Sequence, residues 1–177
     1  MKELKKAVIL VGHGGLPSDI PSEIVEKFMR IHKGRIKAGG SITEQEIELD
    51  TSIRKWERTP ENDPYKSGLE SLASHMEPML DGHILKTAYN EFCYPAIEDA
   101  VGELANKNVT KIIIVTTMIT RGGSHSEIEI PEELKALRQK HSNIDIQYAW
   151  PFDIDAFALF LTTHIKIASP LSAVKSN

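Results

Sequence analysis

The sequence predicts an α/β fold, a central parallel sheet of about four strands flanked by helices, with an inserted acidic helical arm. Three observations carry that reading. Four short, β-branched apolar runs recur at residues 7–11, 84–88, 111–117 and 144–149. The third, KIIIVTT, is nearly continuous, the pattern of a strand buried on both faces of a parallel sheet. Helical periodicity fills the gaps between the later runs, and that alternation is the signature of βαβ units.

The first run leads into Gly12-His13-Gly14-Gly15. Ile24, Val25, Phe28 and Met29 then share a helical face until the segment GRIKAGGS, which predicts a break. Thr43 with Glu46 forms a capping-box pair, followed at helical spacing by Leu49, Ile53 and Trp56. Asp63-Pro64 starts another helix, with Leu69, Leu72, Ala73 and Met76 expected inside and Pro78 and Asp81-Gly82 as its stop. After the second run, Pro95 is expected in a first helical turn, with Ile97, Ala100, Val101 and Leu104 on one buried face. Pro131, Leu134 and Leu137 repeat that arrangement before the fourth run. Asp153 is a candidate cap for a last helix whose apolar face is Ile154, Phe157, Ala158 and Leu161. The expected organisation is one domain over residues 1–167, an inserted and peripheral arm over about 35–63, and a loose tail over 168–177.

Composition narrows the function classes. Hydrophobic residues make up 41% and charged residues 26%, so an ordinary core can form. The net charge is −4, and residues 44–63 hold seven acids against three bases, which accounts for all of it. There is no basic stripe of the kind a nucleic-acid binder needs. No apolar run reaches the roughly 18–20 residues of a membrane span, and the N-terminus reads as a strand rather than a signal peptide. The single cysteine, Cys93, excludes an intramolecular disulfide framework and a cysteine-based zinc knuckle, so it is expected as a small buried residue in a cytoplasmic protein.

In a doubly wound parallel sheet, ligands bind outside the carboxyl ends of the strands. Three polar groups fall at those ends: His13 after the first run, Glu91 after the second, His125 after the third. Two imidazoles and a carboxylate suit a divalent ion such as cobalt, nickel, iron or zinc, with coordination positions left open. Gly12-X-Gly14 could begin a dinucleotide fingerprint, but Pro17 occupies the third glycine position, and no Gly-rich Lys-Ser/Thr phosphate loop is present, so no nucleotide is expected. The other histidines, His32, His75, His83, His141 and His164, read as structural or solvated.

Three blocks give these residues a family context. VILVGHGG at 8–15, AYNEFCYPAIEDAV at 88–101 and GGSHSEIEIPEEL at 122–134 resemble segments of the class II, ATP-independent tetrapyrrole chelatases. The likeness is strongest to the small sirohydrochlorin cobaltochelatases (CbiX-type) and the siroheme ferrochelatases. His125, Glu129, Ile130 and Pro131 keep that family's order and spacing, whereas Gly15 replaces its usual serine, Glu129 its usual aspartate and Tyr94 a second acid.

The resemblance implies a lyase that inserts a divalent metal substrate, Co²⁺ or alternatively Fe²⁺ or Ni²⁺, into sirohydrochlorin or a related tetrapyrrole. His13, Glu91 and His125 would be the metal ligands and the catalytic residues. The imidazoles, with unperturbed pKa values of about 6.5, could also accept the pyrrole protons, and Glu91 would act as third ligand or proton acceptor. Gly14, Gly15, Gly122, Gly123 and Ser124 would bind the macrocycle through backbone N–H groups, and Arg121 either pairs with its carboxylates or is an ordinary surface arginine. The arm would lie away from the macrocycle or recruit cations. Larger chelatases hold the macrocycle between two lobes, so a homodimer is expected. A non-catalytic tetrapyrrole or metal carrier on the same fold is the alternative, and a nucleotide-using α/β enzyme a weaker third reading.

Overall fold

A computed structural model describes residues 5–169. Its sheet has four strands, all parallel, in the order β2-β1-β3-β4: β1 (Lys5–Gly12), β2 (Ile84–Tyr89), β3 (Val109–Thr116) and β4 (Asp145–Tyr148). The helices are α1 (Ser22–Ala38), α2 (Glu44–Arg54), α3 (Pro64–Met76), α4 (Ile97–Asn106), α5 (Ile130–Lys140) and α6 (Ile154–Ala168). The predicted α/β class and the four strands are therefore observed.

Alternation along β1 divides the core. Ala7, Ile9 and Val11 join Ile97, Ala100, Val101, Leu104, Leu134 and Leu137 beneath α4 and α5. Leu10 on the opposite face meets Leu69 and Ala73 of α3 together with Tyr89 and Cys93. Because β1 has neighbours on both sides and helices on both faces, it must be apolar throughout, which is why its central residues form an unbroken hydrophobic run.

Several local expectations are corrected. Gly34 does not break α1, which continues to Ala38 and ends where Gly39 takes the left-handed conformation (φ 64°), so the arm's expected start at residue 35 falls inside a helix. Only half of the capping box forms: the Thr43 hydroxyl accepts the Glu46 N–H at 3.2 Å, while the Glu46 carboxylate turns to His32 and Arg35. Leu72 is exposed, whereas Leu69 and Ala73 of the same helix are buried. Pro95 precedes the helix, and α4 starts instead with Asp99 accepting the Ala96 N–H at 3.0 Å.

Two corrections concern larger units. The acidic arm is not peripheral. Ile53 is fully buried, Trp56 and Asn62 hydrogen-bond Asp19, and Arg54 and Arg58 reach the loops at the sheet's carboxyl edge. Conversely, Asp153 does cap α6, accepting the Ala156 N–H at 2.8 Å, yet no residue of that helix is buried. Ile154, Leu159, Phe160, Leu161, Ile165 and Ile167 are all exposed. The tail expected from 168 lies, from residue 170 onward, outside the described residues, and Ala168 still belongs to α6.

Candidate metal centre

The register of β1 against β2 pairs Gly12 with Tyr89, and the pairing continues past both strands. The Asn90 N–H donates to the Gly12 carbonyl (2.9 Å) and the Glu91 N–H to the His13 carbonyl (2.8 Å). Sheet hydrogen bonding thus carries Glu91 to His13 across 78 residues of sequence. Gly14 makes the approach possible: its φ is +92°, and a Cβ there would lie 1.9 Å from the Glu91 carbonyl oxygen. Phe92, also at positive φ (56°), turns the chain away immediately after the carboxylate.

His125 arrives from the other side. The chain leaves β3, passes Gly122 at φ 87°, and enters a single π-helical turn, His125–Glu129, that runs into α5. Such turns interrupt regular helices and often occur at functional sites. Its ring meets that of His13 edge-on, with centroids 4.8 Å apart.

Ligand atoms of His13, Glu91 and His125 all lie within 4.8 Å of one another, the one such cluster of three or more among the described residues. All three side chains are partly exposed, so the cluster opens on solvent. An ion bonded to each at about 2.1 Å would hold its donors about 3–4 Å apart, so a slight contraction completes the geometry. The expectation that these three residues meet at the sheet's carboxyl edge fits this arrangement.

Hydrogen bonds orient both rings. His13 Nδ1 is 2.8 Å from the Gly14 carbonyl, and His125 Nδ1 is 2.8 Å from Glu129 Oε2. The Gly14 carbonyl and an ionised Glu129 carboxylate only accept, so each would take a hydrogen bond from Nδ1–H and leave the Nε2 lone pair for a metal; the Asn90 amide nitrogen also lies 3.0 Å from His125 Nδ1. The Asn90 amide donates to the same Glu129 oxygen at 3.2 Å. Burial pushes the Glu129 carboxyl upward, but the bonds from His125, Asn90 and Ser124 outweigh it, leaving it below its ordinary value. Glu129 therefore stays anionic and supports His125.

The remaining expected residues divide by position. Gly14 and Gly15 lie on the His13 loop, and Gly122, Gly123 and Ser124 form an exposed turn leading to His125. Arg121 is exposed and lines a cavity of about 310 Å³ with Phe152 and the start of α6, away from the Glu91 side. Cys93 is fully buried, burial raises its thiol pKa, and it stays out of the cluster.

A larger cleft of about 380 Å³ borders Glu91, lined by Phe28, His32, Lys33, Asp50, Arg54 and Phe92 among others. Asn90, Arg54, Arg58 and Tyr65 are site residues that sequence reasoning missed. Asn90 stood beside Glu91 in a loop already singled out. The arginines gave no signal because their acceptors are backbone carbonyls, which leave no mark in a sequence.

Comparison with known proteins gives the fold its relatives. A stretch of 72 residues is 31% identical to a sirohydrochlorin cobaltochelatase of Methanopyrus kandleri, covering 40% of this chain and 50% of that relative's length. In structure, a sirohydrochlorin chelatase, SirB from Bacillus subtilis subspecies spizizenii in complex with cobalt, superposes with a TM-score of 0.55 at 17% identity, over 93% of this chain and 51% of its own. A CbiX protein from Marinobacter aquaeolei gives 0.54 at 16% identity over 92% and 96% of the two chains. At such identities the structural likeness speaks for the fold. The chain thus spans about half the length of the SirB chain. The family model for CbiX matches residues 61–163, more than half of the sequence, including Glu91 and His125 and the helices that carry the core. The chain belongs to the CbiX family.

Proposed function

We propose that this protein is a sirohydrochlorin chelatase that inserts a divalent metal into the tetrapyrrole without ATP, with Co²⁺ as the first candidate and Fe²⁺ or Ni²⁺ as the others. One observation carries the reading: an open cluster of two imidazoles and a carboxylate at the carboxyl edge of a CbiX-family sheet. Insertion requires the metal to shed water and the macrocycle to lose two pyrrole protons. His13 and His125 hold the ion while keeping positions open for the incoming pyrrole nitrogens. Glu91, whose Oε2 lies 3.8 Å from His13 Nε2, is placed to accept one pyrrole proton, and an imidazole released as the metal passes to the macrocycle accepts the other. Glu129 keeps His125 in the tautomer this needs.

The exposed glycine turns and Arg121 supply N–H donors and one cation for the macrocycle's carboxylates. The same reading includes a homodimer in the cytoplasm. The apolar surface of α6 supports a second copy as its cover: Asp155 at one end and Lys166 at the other would pair across an antiparallel two-fold contact.

The absorbance change on metal insertion into sirohydrochlorin tests the proposal with each metal in turn. Acceleration by the wild type, lost in His13→Ala and His125→Ala, is expected, and full activity in both variants refutes the mechanism. The carrier alternative draws support from Gly15, where a serine side chain would have room, the nearest atoms to a Cβ being 3.8 Å away or more, but its hydroxyl is missing. It predicts tight tetrapyrrole binding with no acceleration.

A further inference from the structure

The loops that carry His13 and Glu91 are held from outside by two guanidinium groups. Arg58 donates through Nη1 to the Gly15 carbonyl (2.8 Å) and to Asp63 Oδ2 (2.6 Å), and through Nη2 to the carbonyls of Phe92 (2.6 Å) and Ile53 (3.0 Å). Arg54 donates to the carbonyls of Asn90 (3.1 Å) and Cys93 (3.2 Å) while its Nε holds Asp50 at 2.7 Å. Carbonyls on both sides of Glu91 are thereby captured, together with one from the loop that follows His13.

Arg58 is itself fixed: its side chain is 5% exposed, and its partner Asp63, 2% exposed, also caps α3 by accepting the Lys66 N–H. From the first turn of α3, the Tyr65 hydroxyl accepts the His13 N–H at 2.7 Å. Both arginines precede residue 61, so they lie in the acidic arm and outside the stretch that matches the family model.

We infer that Arg58, assisted by Arg54, is a positioning residue of the metal centre: it ties the His13 loop to the Glu91 loop and sets the distance between two of the three ligands. The inference rests on the proposed metal site and deepens it. Four acceptors converge on two nitrogens of one planar group, a geometry that a lysine, with a single nitrogen, cannot reproduce. His125, which comes from the opposite flank, is untouched by either arginine. The arm's role is therefore to preorganise the ligand pair rather than to recruit cations.

The test is titration of the full chain with Co²⁺ alone, read by the visible d–d spectrum as well as by affinity, at a temperature where circular dichroism shows each variant folded. Arg58→Lys is expected to weaken Co²⁺ binding about 10- to 100-fold, as loss of groups that orient ligands does, and to change the spectrum. Arg54→Lys is expected to weaken it less, with a smaller spectral change. If Arg58→Lys keeps affinity within twofold and the wild-type spectrum, the inference is overturned; should that variant not fold, the same result for Arg54→Lys overturns it. A wild type that fails to bind Co²⁺, or binds it equally well as His125→Ala, overturns the metal site instead.

Discussion

The two flanks of the candidate metal centre are built differently. On the side of α2 and α3, two guanidinium groups and a tyrosine hydroxyl bond the backbone of the His13 and Glu91 loops, and the buried Asp63 carboxylate holds one of those guanidinium groups. On the side of β3 and α6, an exposed glycine turn leads to His125, Arg121 is exposed, and no residue of the last helix is buried among the described residues. The contrast separates two tasks. A metal centre needs ligands held in place before the ion arrives, whereas a flat macrocycle needs a face left open to approach it. On the proposed function, the braced flank would serve the first need and the open flank the second.

The largest effect that could break this contrast is expected at Gly14. An alanine Cβ would meet the Glu91 carbonyl at 1.9 Å in a left-handed backbone, so Gly14→Ala should cost about 3–4 kcal/mol, measured by urea unfolding, and abolish Co²⁺ binding. Equal stability to wild type would show that the two loops are not held together as described.

Next in size is a pair of leucines. Leu69 of α3 is 5% exposed and packs beneath the braced flank, so Leu69→Ala should lose about 2–4 kcal/mol. Leu161 of α6 is 44% exposed, and Leu161→Ala should stay within about 0.5 kcal/mol for the monomer while weakening self-association in sedimentation. A large loss of monomer stability from the second substitution would mean that α6 is packed within its own chain.

Chemistry at the open flank gives a third comparison. Glu129→Gln removes the carboxylate that orients His125 and should weaken Co²⁺ binding about tenfold in a metal titration. Arg121→Ala should leave Co²⁺ affinity alone and raise KM for the tetrapyrrole, since only the macrocycle carries carboxylates for it. The reverse outcome would exchange the assigned roles.

The smallest effect is a pH dependence. The Arg35 hydrogen bonds hold the Glu46 carboxyl below its ordinary value of 4.5, against burial, with His32 helping. A depressed folded pKa means that the stability it contributes is complete above about pH 4.5 and is lost as pH falls through the lower folded value. Thermal melts between pH 6 and pH 3 should therefore show a steeper fall for wild type than for Glu46→Gln. Parallel curves would remove Glu46 from the forces that seat α2.

Much of this architecture was legible in the chain. The four strands appear where β-branched runs stand, and α4 buries the same Ile97, Ala100, Val101 and Leu104 stripe that its periodicity marks. His13, Glu91 and His125 could be named because a parallel sheet collects its strand ends at one edge. The arm misled because charge composition says nothing about what its arginines bond. Helix α6 misled for the opposite reason: its amphipathic pattern announces a helix but not whether the apolar face meets its own chain or another.

By itself, then, the sequence determined the strand and helix inventory and the residues at the sheet's edge, since both follow from local periodicity and the connectivity of parallel strands. Only the tertiary structure decided how near the three candidate ligands come, which carboxylate orients His125, and that Arg54 and Arg58 brace the loops. Those features depend on backbone carbonyls and on contacts between segments far apart in the chain. Such contacts are set by packing of the whole fold, and every residue has the same carbonyl to offer.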